Sequence, residues 1–233
     1  QAEMNGLPNT DDDGNGFIDD IYGYDFYGLD SDPLDDNLHG THVSGTIGAV
    51  GNNNIGVAGI CWNTRIMAVK GMGANGAGDL SSVVGGVTYA VNNGAKVINA
   101  SLGAYGGGAG GLDIYIRSFY DAIDYADAHD VLFVCSAGND AMDNDSSIWF
   151  PASYNLPNML SVMATDHFDQ PANFTHWGKN MVDLGAPGVD ILSTFPTYLT
   201  GEMMWWGFAT DYETISGTSM ASPHVAGACA LVW

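Results

Sequence analysis

The stretch Gly217-Thr218-Ser219-Met220-Ala221-Ser222-Pro223-His224-Val225-Ala226-Gly227 decides how the rest of the chain is read. Two small residues precede Ser219, and the Ala/Val/Leu-rich run after it reads as a buried helix. Ser219 then stands at a helix N-terminus, where unpaired N–H groups and the positive end of the dipole favour developing negative charge. Gly217 permits a sharp turn, and Pro223 suits an early helical position because it has no N–H to lose. A plain Ser/Thr cap before a core helix is the commoner use of such residues. The choice between cap and nucleophile depends on what the rest of the chain offers Ser219.

Working outward, apolar strands alternate with helical runs. Val131 to Ser136 is a strand running straight into Ala137-Gly138-Asn139-Asp140, and Ala95 to Ser101 is a buried strand of the parallel kind. Arg65–Val69, Met159–Ala164 and Met181–Leu184 read as further strands. His39–Val50, Ser81–Asn93 and Ile114–His129 read as helices, the last clearly amphipathic. The order predicts an α/β fold with a mainly parallel, twisted sheet between helices, binding ligands beyond the C-terminal strand ends. No linker, repeat or low-complexity tract appears, so a single domain is expected over 1–233, with an irregular acidic region at 1–38 and a core at 39–233.

Composition narrows the partners. The net charge is −22, with five basic residues in 233. That balance argues against nucleic acid or anionic membranes and suits cation binding. No apolar run is long enough to cross a membrane. The widely spaced Cys61, Cys135 and Cys229 leave at least one free thiol in a monomer, and Cys135 and Cys229 sit in apolar runs as small hydrophobes. The chain opens within a loop and stops inside a helical pattern, so truncation at both ends is expected.

Asp11-Asp12-Asp13-Gly14-Asn15-Gly16-Phe17-Ile18-Asp19 follows the start of a calcium loop. Asp11, Asp13, Asn15 and Asp19 are its candidate ligands, although Tyr22 stands where an EF-hand needs a bidentate Glu.

A Ser hydroxyl needs a neighbouring base to become a good nucleophile, and the oxyanion formed on attack needs donors. His39 opens a helix and can take the proton. Asn139 follows a strand and can donate from its side-chain NH₂. Ser219 can donate from its own backbone N–H.

Taken together, HGTHVSGT at 39–46, SLG at 101–103, SAGN at 136–139 and GTSMASPHVAG at 217–227 resemble the subtilisin-like serine peptidases in order and spacing. The resemblance spans His39 to Trp233 and includes Ala186-Pro187-Gly188. It implies a serine endopeptidase with His39 as general base, Ser219 as nucleophile and Asn139 as oxyanion donor. Ser101, Leu102 and Gly103 would pair with the substrate backbone as an added strand. Phe150-Pro151 would be a cis-proline turn, placing Trp149 near the floor of the pocket for the P1 residue, whose carbonyl is attacked. A bulky indole there would favour small or shallow P1 side chains. His42 and His224 would be structural, and His129, His167 and His176, outside every motif, are expected on the surface.

The resemblance also implies calcium at two more places. Asp25, Asp30 and Asp32 match one site; the loop Gly51–Val57 matches another, with Asn53 giving a side-chain oxygen and Gly51, Ile55 and Val57 giving carbonyls. Protein or peptide substrates, an upstream propeptide, a monomeric state and secretion follow from the same likeness.

One element of the pattern is missing. No Asp-Thr-Gly or Asp-Ser-Gly occurs in the sequence, and Asp25, Asp35 and Asp36 lie in the wrong context for the third catalytic residue. That Asp is expected upstream of Gln1, and a fragment without it should lose on the order of 10⁴ in kcat. True loss would instead make a calcium-stabilised binding module. An α/β-hydrolase is excluded because Ser219 lies in GTSMA rather than GxSxG and the His precedes the Ser.

Overall fold

The computed structural model describes residues 2–106 and 112–233. In chain order the elements are α1 (Ala2–Asn5), β1 (Gly23–Asp25), α2 (His39–Gly48), β2 (Ala68–Lys70), α3 (Leu80–Asn92), β3 (Val97–Ala100), β4 (Ala104–Tyr105) and α4 (Leu112–Asp127). There follow β5 (Leu132–Ser136), β6 (Trp149–Phe150), β7 (Met159–Thr165), β8 (Leu184–Pro187), β9 (Ile191–Thr194), α5 (Gly201–Trp206), β10 (Tyr212–Ile215) and α6 (Thr218–Val232).

The apolar run of β5 sits inside a four-stranded parallel sheet of order β3-β5-β7-β8. Alternate side chains of a strand point to opposite faces, so a strand buried on both sides is apolar throughout. Phe133 and Cys135 join Val87 of α3 and Phe119, Ala122 and Ile123 of α4 on one face. Val134 joins Val162, Ala164 and Ala186, packed beneath Ala221, Val225 and Ala226 of α6, on the other. Helix α2 lies along α6 in that second layer. The result is the expected α/β arrangement with a mainly parallel sheet between helices.

A second parallel pair, β1-β2, stands apart from the main sheet. Strands β2 and β3 do not pair with each other, yet α3 covers both. A Cβ at Gly86 would lie 2.6 Å from Val69 of β2, while Ile98 and Ala100 of β3 pack with Val83, Val84 and Val87. Among the described residues, each therefore has a backbone edge without a strand partner, and the two edges lie beneath the same helix.

Three expectations change. The 1–38 region holds α1 and β1 rather than being wholly irregular: Gly23 pairs with Ala68, a partner that local sequence does not announce. The strand expected at Met181–Leu184 begins only at Leu184, because the Asp145 carboxylate takes the N–H groups of Lys179, Asn180 and Met181. Between β9 and β10, an antiparallel hairpin missed from sequence, lies α5, capped by Thr200, whose hydroxyl accepts from Met203 N at 3.2 Å.

Candidate active site

Ser219 is the second residue of α6 and is half-buried. Pro223 lies deeper in this helix than an N-terminal position and has no N–H for the carbonyl four residues back, which is Ser219 O. Ser101 Oγ supplies the missing donor at 2.8 Å and also lies 2.7 Å from Ser222 Oγ. In return, Ser219 Oγ reaches Ser101 O at 3.4 Å. The segment after β3 thus holds the backbone and the hydroxyl of Ser219 together.

Asn139 follows β5 in a turn made possible by Gly138, whose φ is +115°. Its Oδ1 accepts from Thr218 N at 2.8 Å and Thr218 Oγ1 at 3.0 Å. Thr218 Oγ1 also accepts from Gly138 N at 3.1 Å. With Oδ1 committed twice, the Nδ2 group is the end left to donate, and the residue is exposed beside the start of α6. A fixed amide of this kind, together with unpaired N–H groups at the helix start, can bind an oxyanion.

His39 begins α2, as expected, and its N–H donates to Asn37 Oδ1 at 3.2 Å. The preceding Leu38 is buried with Phe195 and Met203, which fixes the entry to the helix. Burial of the imidazole lowers its pKa, and the nearby Asp35 opposes the shift. Asp35 is already engaged, its Oδ2 accepting from Thr41 N at 2.8 Å and Thr41 Oγ1 at 2.6 Å. Among the described residues, no carboxylate hydrogen-bonds the His39 ring. His42 is fully buried, with Nε2 on Ile191 O at 2.9 Å and its ring edge-on to Phe195, in keeping with a structural role.

Trp149 lies on β6, which pairs antiparallel with β4, and the Phe150-Pro151 bond is cis. A Cβ at Gly103 would come within 2.4 Å of Trp149 Nε1, so the indole lies directly against the Ser101-Leu102-Gly103 segment. Beneath it is His176, which is wholly buried rather than on the surface: its backbone N–H donates to Gly138 O at 2.8 Å and its Nδ1 lies 2.8 Å from Asn144 Oδ1. A single His in Thr175-His176-Trp177 gives no periodic signal for such burial. Cys61 and Cys135 are buried, Cys229 is half-buried, and all three are free thiols.

The candidate calcium ligands divide. Asp11 and Asp13 come together with Glu3, their oxygens within 4.8 Å of one another. Glu3 was missed from sequence. It is buried, with Oε1 accepting from Asp12 N at 2.7 Å and Oε2 from Asp19 N at 3.1 Å. Asn15 stays beside this group, its Nδ2 3.5 Å from Asp13 Oδ2, with its Oδ1 accepting from Phe17 N at 2.8 Å; Asp19 Oδ2 accepts from Asn9 N at 2.7 Å. Asp25, Asp30 and Asp32 do not gather into such a group. Asp25 Oδ2 instead meets Lys70 Nζ at 2.5 Å, while Oδ1 accepts from Tyr27 N and Gly28 N, each at 2.8 Å. Asn53 is exposed, its Oδ1 accepting from Ile55 N at 3.0 Å.

A family model described as the Subtilase family matches residues 4–233. The chain is 44% identical over 213 residues to a thermophilic serine proteinase of Bacillus sp. (strain AK1), covering 91% of this chain and 46% of that protein. Thermitase of Thermoactinomyces vulgaris is 38% identical over 212 residues, covering 91% of this chain and 67% of its own length. Among solved structures, a cold adapted subtilisin-like serine proteinase superposes with a TM-score of 0.71 at 36% identity, covering 90% of this chain and 66% of that one. The chain thus spans about half to two thirds of the length of these relatives. A match over nearly its whole length, on top of the motifs around His39, Asn139 and Ser219, places the chain in the subtilase family.

Proposed function

We propose that this chain is the catalytic domain of a serine endopeptidase. Ser219 Oγ attacks a peptide carbonyl and His39 takes its proton. Asn139 Nδ2 and Ser219 N–H receive the oxyanion. His39 then protonates the leaving amine, and water resolves the acyl-enzyme. The observation carrying this reading is the double anchoring of Asn139 Oδ1 on Thr218, which leaves a pre-aimed amide donor at the start of the helix that bears Ser219. Electrostatic preorganisation of this sort is usually the largest contribution to such catalysis. Ser101, Leu102 and Gly103 take the acyl-side backbone, and Trp149 restricts the P1 pocket to small side chains.

The carboxylate that orients His39 comes, on this reading, from a strand upstream of Gln1 that inserts between β2 and β3. The open edges of those strands under α3 support the placement. Hydrolysis of a fluorogenic peptide by the full-length protein, with Ser219→Ala as blank, tests the proposal. A panel of P1-varied peptides tests the pocket, and a clear preference for Phe or Tyr would sink that part.

Calcium is proposed as a structural ion held by Asp11, Asp13 and Glu3. Three hard oxygen donors close together, in a region without a Lys or Arg before Leu38, fit a divalent cation. The Asp25 group fits less well, because Lys70 already supplies a positive charge there. Secretion, a propeptide and a monomeric enzyme acting on proteins or peptides complete the proposal, supported by the acidic composition and the family. No described helix is long and apolar enough to cross a membrane.

A further inference from the structure

His176 has no part in the chemistry above, yet it touches both sides of the site. Its tautomer is fixed by neighbours. Asn144 Nδ2 donates to Ala137 O at 2.9 Å, so Asn144 Oδ1 is the atom facing His176 Nδ1 at 2.8 Å. An amide oxygen only accepts, so Nδ1 carries the hydrogen. In the neutral ring, Nε2 is then a bare acceptor, buried without a hydrogen-bond partner and 3.7 Å from Asp140 Oδ2. Burial favours this uncharged form, with Asp140 acting against it.

The ring is wedged under the oxyanion turn. A Cβ at Gly138 would fall 2.4 Å from His176 Nδ1, so the turn approaches this closely only with glycine there. Asp140, directly after Asn139, accepts from Tyr105 OH at 2.6 Å. On its other side the imidazole meets Trp149 edge-on, with centroids 5.4 Å apart, and Tyr105 meets the same indole at 4.8 Å. Through Asn144 the ring supports Ala137 O and by its edge it supports the pocket wall, while the His176 backbone N–H donates to Gly138 O.

We propose that His176 is a positioning residue that ties the Asn139 turn to Trp149, so that one buried side chain sets both oxyanion binding and the depth of the P1 pocket. The two functions use different parts of the ring. The Nδ1 hydrogen holds the turn through Asn144, and the ring volume holds the indole. The inference rests on the peptidase reading above.

Two variants of the full-length protein separate the functions. His176→Asn keeps an N–H donor near Nδ1 but removes the ring from Trp149. His176→Phe keeps the ring and leaves Asn144 Oδ1 unpaired. Kinetics on paired peptides with Ala or Phe at P1, alongside melting curves, provide the readout. His176→Phe is expected to lower kcat about tenfold or more, with an unchanged Phe/Ala ratio, the size of effect that an unpaired buried polar group can produce. His176→Asn is expected to hold kcat within about threefold and to move the ratio about tenfold towards Phe, as a deeper pocket admits it.

The inference is overturned if both variants keep the parental kcat and ratio and lose only melting temperature, the result of a purely structural role. It is equally overturned if kcat and P1 preference change in the same proportion in both. A parent whose Ser219 fails to react with a fluorophosphonate overturns the peptidase reading and this inference with it; a reactive parent with unresponsive variants overturns the inference alone.

Discussion

The Ser101 hydroxyl donates to Ser219 O at 2.8 Å, taking the place of the helix hydrogen bond that Pro223 cannot make. A residue of the proposed substrate-binding segment therefore also completes the helix that carries Ser219, the proposed nucleophile. The proline that looked like a feature of helix initiation instead opens a carbonyl to a neighbouring strand end.

Replacing Ser101 by Ala should leave Ser219 O and Ser222 Oγ without this partner. Stability is expected to fall by about 1–3 kcal/mol, the cost of an unsatisfied buried polar group. The rate constant kcat should fall with it, because Ser219, the proposed nucleophile, loses its support. Urea melts and steady-state kinetics on Ser101→Ala check both, with Ser101→Thr, which retains the hydroxyl, recovering most of each.

Asn139 offers a cleaner separation of fold from chemistry. Asn139→Asp keeps an oxygen for Thr218 and removes the NH₂ donor. On the proposed mechanism it lowers kcat by about 10²–10³-fold, the usual cost of one oxyanion donor. The value of KM and the melting temperature should change little. A variant within threefold of the parent would remove Asn139 from the mechanism.

His42 gives a pH dependence with a definite sign. Its Nε2 donates to Ile191 O, while Nδ1 is buried and makes no hydrogen bond; the Ile191 and Glu213 backbones favour the charged ring but do not offset its burial. Burial brings its pKa down from 6.5 to about 4. Below pH 6.5 the unfolded chain binds a proton that the folded one refuses, so stability is lost as pH falls from about 6.5 to about 4. The loss should approach about 3 kcal/mol at the lower end. His42→Gln should flatten the slope of stability against pH in urea melts over this window, whatever its effect on the level.

If Glu3, Asp11 and Asp13 hold calcium, chelation should lower the melting temperature. An ion present at about a hundredfold over its Kd contributes about 2.7 kcal/mol to the folded state. That corresponds to a drop of roughly 5–10 °C for a chain of this size. Glu3→Gln should reproduce much of the drop and shrink the response to chelator. A chelator response that is unchanged in the variant would move the ion elsewhere.

What the sequence disclosed about this site depended on distance along the chain. His39, Asn139 and Ser219 each stand where an apolar element meets a loop, and that junction is visible locally. The strands β5 and β7 are apolar for the same reason that they are central. Glu3 left no trace, because a lone Glu outside the loop motif has no spacing to betray it, and only folding brings its oxygens to Asp11 and Asp13. Asp25 was expected as a metal ligand from the family likeness alone; Lys70, which pairs with it, lies far along the chain and gave no local sign. The exposed Trp205 and Trp206 of α5 have no helical stripe, and α5 is instead fixed by buried Met203 against Leu38 and Phe195.

The most direct test is labelling of Ser219 with a fluorophosphonate probe, read by intact mass, on the protein extended to its natural start and supplied with calcium. The account predicts one probe per chain, absent in Ser219→Ala, and strongly reduced when the upstream strand is removed. A folded, full-length protein that stays unlabelled would contradict it, leaving a subtilase scaffold that binds without cutting.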